Sequence, residues 1–347
     1  MKNIFLNIFF LAGSFSLFGQ HGVHFISKEL TSGTNTNIRG LSVVDDNIIW
    51  ASGSNGWVGK SLDAGKTWTW KQVKGFEKLD FRDVEAFDSN NAIIANAGSP
   101  AYIMKTNDGG NNWTTVYVNK DSLAFIDGVD FWDDKRGIAY GDPLKGRFMI
   151  LTTNDGGANW KPIPSQQSPE AFKGEASFAA SGTGIRTLEG GYVWMGTGGS
   201  HSRLLFSADY GLHWKTVECP ILQGSASQGI FSLLFTDQKN GIVVGGDYKM
   251  DTVIHKNCFI TNDGGLTWKA PDIGPFGYRS CVEALDKKIF VATGTSGTDI
   301  SVDGGKSWLI MNKDSYNVVK KAKNGRIIYI AGDKGEVINV IIYEQKS

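Results

Sequence analysis

Three arginines stand near the starts of short strand-like runs: Arg39 in Ile-Arg-Gly, Arg82 in Phe-Arg-Asp and Arg279 in Tyr-Arg-Ser. Guanidinium groups that converge on one point hold a carboxylate by paired hydrogen bonds. An acidic sugar or the C-terminus of a partner protein has the right chemistry. Tyr278, Asp142 and Asp247 occupy neighbouring positions in the same alignment and complete the candidate ligand-binding set. Two carboxylates, Asp127 and Glu175, align with the arginines as well. As a pair they could serve as acid and base, or acid and nucleophile, on a glycosidic bond, their separation setting retention or inversion. A ring of opposite charges can also simply neutralise itself, because unpaired charge in a narrow channel is costly.

A repeat would bring these residues together. Six copies of Ser/Thr-x-Asp-x-Gly-x-x-Trp occupy residues 61–68, 106–113, 153–160, 207–214, 261–268 and 301–308. Their aspartates are Asp63, Asp108, Asp155, Asp209, Asp263 and Asp303, separated by 45, 47, 54, 54 and 40 residues. That period marks a fold built from one repeated supersecondary unit. Between copies lie short apolar runs bounded by Gly, Asn and Asp, such as residues 37–44, 47–51, 57–62 and 68–73. Four strands per unit make the blade of a β-propeller. The motif falls between the third and fourth strands. There the Asp accepts backbone N–H groups of its own turn, the Gly supplies positive φ and the Trp packs inward. The six aspartates are therefore read as structural turn-locks. Oxygen-rich loops can bind calcium, but each of these carboxylates is committed to its turn, and no metal site is expected.

A second register adds a unit. Gly53, Gly98, Gly141, Gly196, Gly246, Gly294 and Gly332 are each followed by Ser, Thr or Asp. The seventh lies in residues 315–343, which hold three strand-like runs and no aspartate motif. Residues 23–30 can supply the missing strand. The expected fold is all-β, a seven-bladed β-propeller closed between the N-terminal strand and the C-terminal blade, with no open edge. In such a ring the first strands start beside the central channel. Arg39, Arg82, Asp127, Glu175 and Arg279 then gather at one axial face.

Bulk properties narrow the function. The 347 residues carry 35 basic and 35 acidic side chains. That balance gives no long-range field for nucleic acid or an anionic membrane, and neither is expected as a partner. Lys2, the apolar run 4–17 and a small-residue cleavage region at 18–20 read as a secretory signal peptide over residues 1–20. Residues 21–347 then form a single propeller, expected to be monomeric and secreted or periplasmic. No later segment is apolar enough to span a bilayer. Cys219, Cys258 and Cys281 are too few and too irregularly spaced for a disulfide framework. Residues 53–61 (GSNGWVGKS) only look like a P-loop, since no helix follows to receive a phosphate. No Gly-rich dinucleotide turn opens a helix, and no cofactor is expected. Trp50, Trp57, Trp70, Trp132 and Trp194 could stack on sugars, but core or blade-contact roles explain most of them.

The repeated T-N-D-G-G-x-x-W form, as in residues 106–113 and 261–268, resembles the BNR or Asp-box family of propellers. Within it, the chain is similar to exported proteins of the photosystem II stability/assembly factor type, over roughly residues 23–343. Such proteins are often labelled oxidoreductase, for which this sequence offers no residue basis. The resemblance implies the fold and a protein-binding role, with arginines on one face of the ring. Sialidases, also Asp-box proteins, use an arginine triad with a tyrosine nucleophile and six blades. Here Arg82 precedes Asp83 and Val84 rather than Ile-Pro, and the count is seven. Three readings stand: a binding or assembly module for a protein partner or anionic glycan, a glycoside hydrolase acting on an acidic glycan, and a purely structural component of the cell envelope.

Overall fold

Runs of β-branched and aromatic residues between Gly-, Asn- and Asp-rich turns favour short antiparallel strands, and each such run forms one. The computed structural model describes residues 23–344. Blade 1 is the pattern for the rest: Ile38–Val43, Ile49–Gly53, Trp57–Ser61 and Thr69–Gln72 in antiparallel order. The inner strands of blades 2 to 7 are Phe81–Ala86, Gly128–Phe131, Ile185–Leu188, Ser225–Phe235, Cys281–Ala284 and Tyr316–Lys321. The chain is thus an all-β, seven-bladed propeller. In blade 5 the fourth strand shrinks to a single bridge between Ile260 and Lys269. Two short strands, Gly198–Gly199 and Glu175–Ala176, extend that blade from its inner edge instead.

Each blade lies between two neighbours, so its second strand must be apolar on both faces. Ile49–Gly53, Ala92–Asn96, Phe290–Gly294 and Ile328–Gly332 are buried throughout. Trp50 packs with Val84 and Ile94 of the next blade, and its Nε1 donates to Asp88 O at 3.0 Å. Trp132 reaches Tyr192 O at 2.6 Å and Trp194 reaches Gly264 O at 3.1 Å. These three indoles join blade to blade and are not sugar platforms. The thiols of Cys219, Cys258 and Cys281 are buried and unbridged.

The six aspartate turns share one geometry. The Ser or Thr hydroxyl donates to the Asp Oδ1 at 2.8–2.9 Å. The same hydroxyl oxygen accepts the glycine N–H, and Oδ1 accepts the N–H four residues on. In the Asp108 turn, the Asn112 backbone N–H and then its side chain hold the carboxyl down at about 2.

Ring closure follows the sequence expectation. Val23–Thr31 runs antiparallel to Glu336–Glu344 and forms the outer strand of blade 7. The expected signal peptide lies outside the described residues. Among those described, no helix is long and apolar enough to cross a membrane.

One element departs from expectation. The sequence alignment starts blade 4 at Glu175, but its inner strand is Ile185–Leu188. Glu175 instead pairs with Gly199 in a short strand beside blade 5. Residues 163–184 are an inserted connection rather than blade.

Candidate functional site

The inserted connection crosses the ring's axis, and its hydrogen bonds trace the path. Arg39 Nη1 of blade 1 donates to Ala180 O at 3.2 Å, and Arg82 Nη1 of blade 2 donates to Ala179 O at 3.3 Å. Ser181 Oγ donates to Ser280 O beside blade 6 at 2.8 Å. Thr183 Oγ1 shares a hydrogen bond of 2.7 Å with Ser232 Oγ of blade 5. Gly182 permits the passage: its φ is +69°, and a Cβ there would lie 2.2 Å from Asp83 Oδ1. A visible signal for this segment is the spacing of 54 residues between Asp155 and Asp209, against 45 between the first two turns.

Above the crossing segment lies a cavity of about 400 Å³. Arg39, Arg82, Asp127 and Asp142 line it from blades 1 to 3, and Tyr248 and Tyr278 from the far side. Phe178 of the crossing segment stacks on Phe231 with ring centroids 3.9 Å apart. Tyr278 meets Phe231 edge-on at 4.8 Å. One wall thus carries charges of both signs and the other is aromatic. Tyr248 belongs to a long loop after the second strand of blade 5, where Tyr248, Met250 and Ile254 are all exposed. That loop also accounts for the other 54-residue spacing. Larger grooves of about 880 Å³ and 610 Å³ exist at the seam of blades 6 and 7 and among the turns of blades 5 and 6. The axial cavity is the candidate because charged groups from three blades converge on it. At the other end of the inner strands, Arg186 faces Glu283 at 3.5 Å and Lys323 pairs with Glu85.

The charges in the cavity are not matched. Arg82 Nε pairs with Asp80 Oδ2 at 2.7 Å. Among the described residues Arg39 has no carboxylate partner, only the Ala180 carbonyl. Burial, then the nearby Arg82, lowers the Arg39 pKa. Asp127 is 2% exposed, and its Oδ2 is shut from solvent with no hydrogen-bond partner. Burial and then the neighbouring Asp142 push its pKa well up, against the pull of Arg82. Burial raises the pKa of Asp142 as well, although its Oδ1 accepts the Ser177 N–H at 2.9 Å.

The remaining sequence candidates lie elsewhere. Arg279 turns from the cavity into a buried pair, with Nη2 2.6 Å and Nε 2.7 Å from Asp299 Oδ2. Both oxygens of Glu175 are taken: Oε1 by Thr197 and Arg203 Nε, Oε2 by Arg203 Nη2 and the Phe172 N–H. The structure therefore does not bring Asp127 and Glu175 together. Asp247 Oδ2 accepts Gln228 Nε2 at 3.0 Å and Oδ1 accepts the Lys249 N–H at 2.9 Å. Of the candidate set, Arg39, Arg82, Asp127, Asp142 and Tyr278 share the cavity. Sequence reading missed Phe178 and Phe231 of its aromatic wall.

No protein-family model matches the chain, and no curated protein does. Solved structures match the fold. A structure of YCF48 bound to D1 peptide superposes with a TM-score of 0.62 at 15% identity, covering 91% of this chain and 94% of that one. YCF48 from Cyanidioschyzon merolae gives 0.63 at 17% identity, over 91% and 98%. A GH74 xyloglucanase from Xanthomonas campestris gives 0.57 at 12% identity, over 91% of this chain and 57% of that one. At such identities the likeness carries the architecture and not the activity.

Proposed function

We propose that this protein is an exported binding or assembly module that takes a carboxylate-bearing segment of a partner protein at its axial face. The observation behind the reading is Arg39, a half-buried guanidinium with no carboxylate partner, beside Arg82 in one cavity. A partly buried cation without a counter-charge is costly and attracts an anion. The aromatic wall and the exposed Tyr248, Met250 and Ile254 offer apolar contact to the residues flanking that carboxylate. A propeller of the same fold, YCF48, has been solved with a peptide bound. The six aspartate turns support a place in the Asp-box family, and the apolar run at residues 4–17 supports export.

The test is an array of peptides, each made with a free C-terminal carboxylate and again as the amide. Binding should need the carboxylate. Losing one charge-assisted contact costs about 1.5–3 kcal/mol, so Arg39→Ala should weaken capture about tenfold to a hundredfold, with melting nearly unchanged. Equal binding of acid and amide would refute the reading.

A glycoside hydrolase is the second reading, favoured only by the raised pKa of Asp127 beside Asp142. Turnover of an acidic oligosaccharide that disappears in Asp142→Asn would establish it.

A further inference from the structure

The two oxygens of Asp127 pose a problem that the ring alone does not solve. The side chain lines the axial cavity, yet Oδ2 is sealed from solvent and accepts nothing. Buried polar atoms are nearly always paired, and an orphan in a native fold calls for an explanation. An ionised carboxylate here would leave a charged, desolvated oxygen unsatisfied, which costs more than a neutral acid does. Its surroundings do not supply the missing donor. Asp142 and Tyr140 face it from the second strand of blade 3: the Asp142 carboxylate opposes its ionised form, while the Asp142 backbone N–H favours it more weakly. The Tyr140 hydroxyl is itself without a partner. Arg82 faces it from blade 2, but its Nε is committed to Asp80 and its Nη1 to Ala179 O. From the crossing segment comes only the Ala179 backbone N–H. Asp83, the next carboxyl, accepts the Val129 N–H at 2.6 Å.

Resting on the carboxylate-binding reading above, we propose that Asp127 enters the cavity as a carboxylic acid with its proton on Oδ1, the oxygen other than the sealed Oδ2, and donates that O–H to a ligand carboxylate that Arg39 and Arg82 hold. A protonated acid beside arginines presents a donor where an ionised one would repel the anion. Two consequences follow. Asp127 becomes the residue that tells a carboxylate from a ligand without an acceptor at that point. Binding also becomes tied to pH: it is present while Asp127 keeps its proton and fades as pH rises through its raised pKa. Above that pKa the affinity should fall by up to about tenfold per pH unit.

The probe is 4-fluorobenzoate, a bare carboxylate on an aromatic ring, followed by fluorine NMR from about pH 6 upward; the probe itself stays ionised over this range. In the wild type its affinity should fall with rising pH. In Asp127→Asn, whose amide donates at every pH, the affinity should stay level and exceed that of the wild type at alkaline pH. If that variant does not fold, carbon-13 titration of the aspartate carboxyls in the wild type and in Asp83→Asn decides the same point: Asp83 and Asp127 should both stay protonated at neutral pH in the wild type, and Asp127 should remain so in Asp83→Asn. Wild-type affinity that does not change with pH, no binding at any pH, or aspartates all ionised near neutrality in Asp83→Asn would each overturn the proposal. The two readings can fail separately. Peptides captured with no pH dependence would remove Asp127 and leave the partner reading. Fluorobenzoate bound in the expected way, with no peptide captured, would do the reverse.

Discussion

Asp83→Asn should make the protein more stable at neutral pH, and the gain should vanish in acid. Asp83 lies on the inner strand of blade 2, is 7% exposed, and accepts the Val129 N–H at 2.6 Å. Burial raises its pKa to about 8, against the pull of Lys320 and of that hydrogen bond. In the unfolded chain the same group ionises near pH 4. Between those values the folded state binds the extra proton, so stability falls as pH rises. The slope from one group is about 1.4 kcal/mol per pH unit. From about pH 5 to about pH 7 the wild type should lose roughly 2.7 kcal/mol through Asp83 alone. Asparagine keeps a carbonyl to accept from Val129 and replaces the O–H donor with an N–H, but it cannot ionise. Other groups titrate identically in the two proteins, so the difference between them isolates this residue. Urea unfolding of both at the two pH values measures it. A gap that stays constant with pH, or one that widens in acid, would mean that Asp83 is ionised in the folded state and would refute the reasoning.

Glu175→Gln should destabilise the fold by about 3–5 kcal/mol, because it leaves the Arg203 guanidinium buried without its counter-charge. Thermal melting checks this, and peptide capture by the folded fraction should be unchanged. In acid the aspartate turns should fail late. The carboxyls of Asp108, Asp155 and Asp209 are each held down to about 2, so their contribution is intact above the unfolded value near pH 4 and is lost as pH falls toward about 2. A melting series over that range should show the decline, and Asp108→Asn should flatten it.

The architecture was legible because it repeats. Six turns and seven glycines mark the blades, and the three strand-like runs of the last unit leave one strand missing, which residues 23–30 supply. The site was half legible. Arg39 and Arg82 stand at matching places on inner strands of ordinary blades, so aligning units placed both correctly. Glu175 was misplaced because the connection carrying it is unique to one position, and repetition says nothing about what happens once. Arg279 fails for a local reason. Successive residues of an extended chain point to opposite sides, so with Tyr278 in the cavity its neighbour must face away, and there Asp299 receives it. Phe178, Phe231 and Tyr248 gave no signal as a group, since Phe178 comes from the insertion and Tyr248 from a loop found in one blade.

The pairing of Val23–Thr31 with Glu336–Glu344 has a consequence for biosynthesis. The first strand leaves the ribosome about 300 residues before its only partner exists. At 5–20 residues per second it waits roughly 15–60 s with both edges bare. During that time blade 7 cannot form and the ring cannot close, so every earlier blade is held by its neighbours alone. A chain released even one strand short would keep an open edge of apolar strand, the surface on which such proteins aggregate. Completion of this fold is therefore a property of the finished chain, and quality control has one late event to watch.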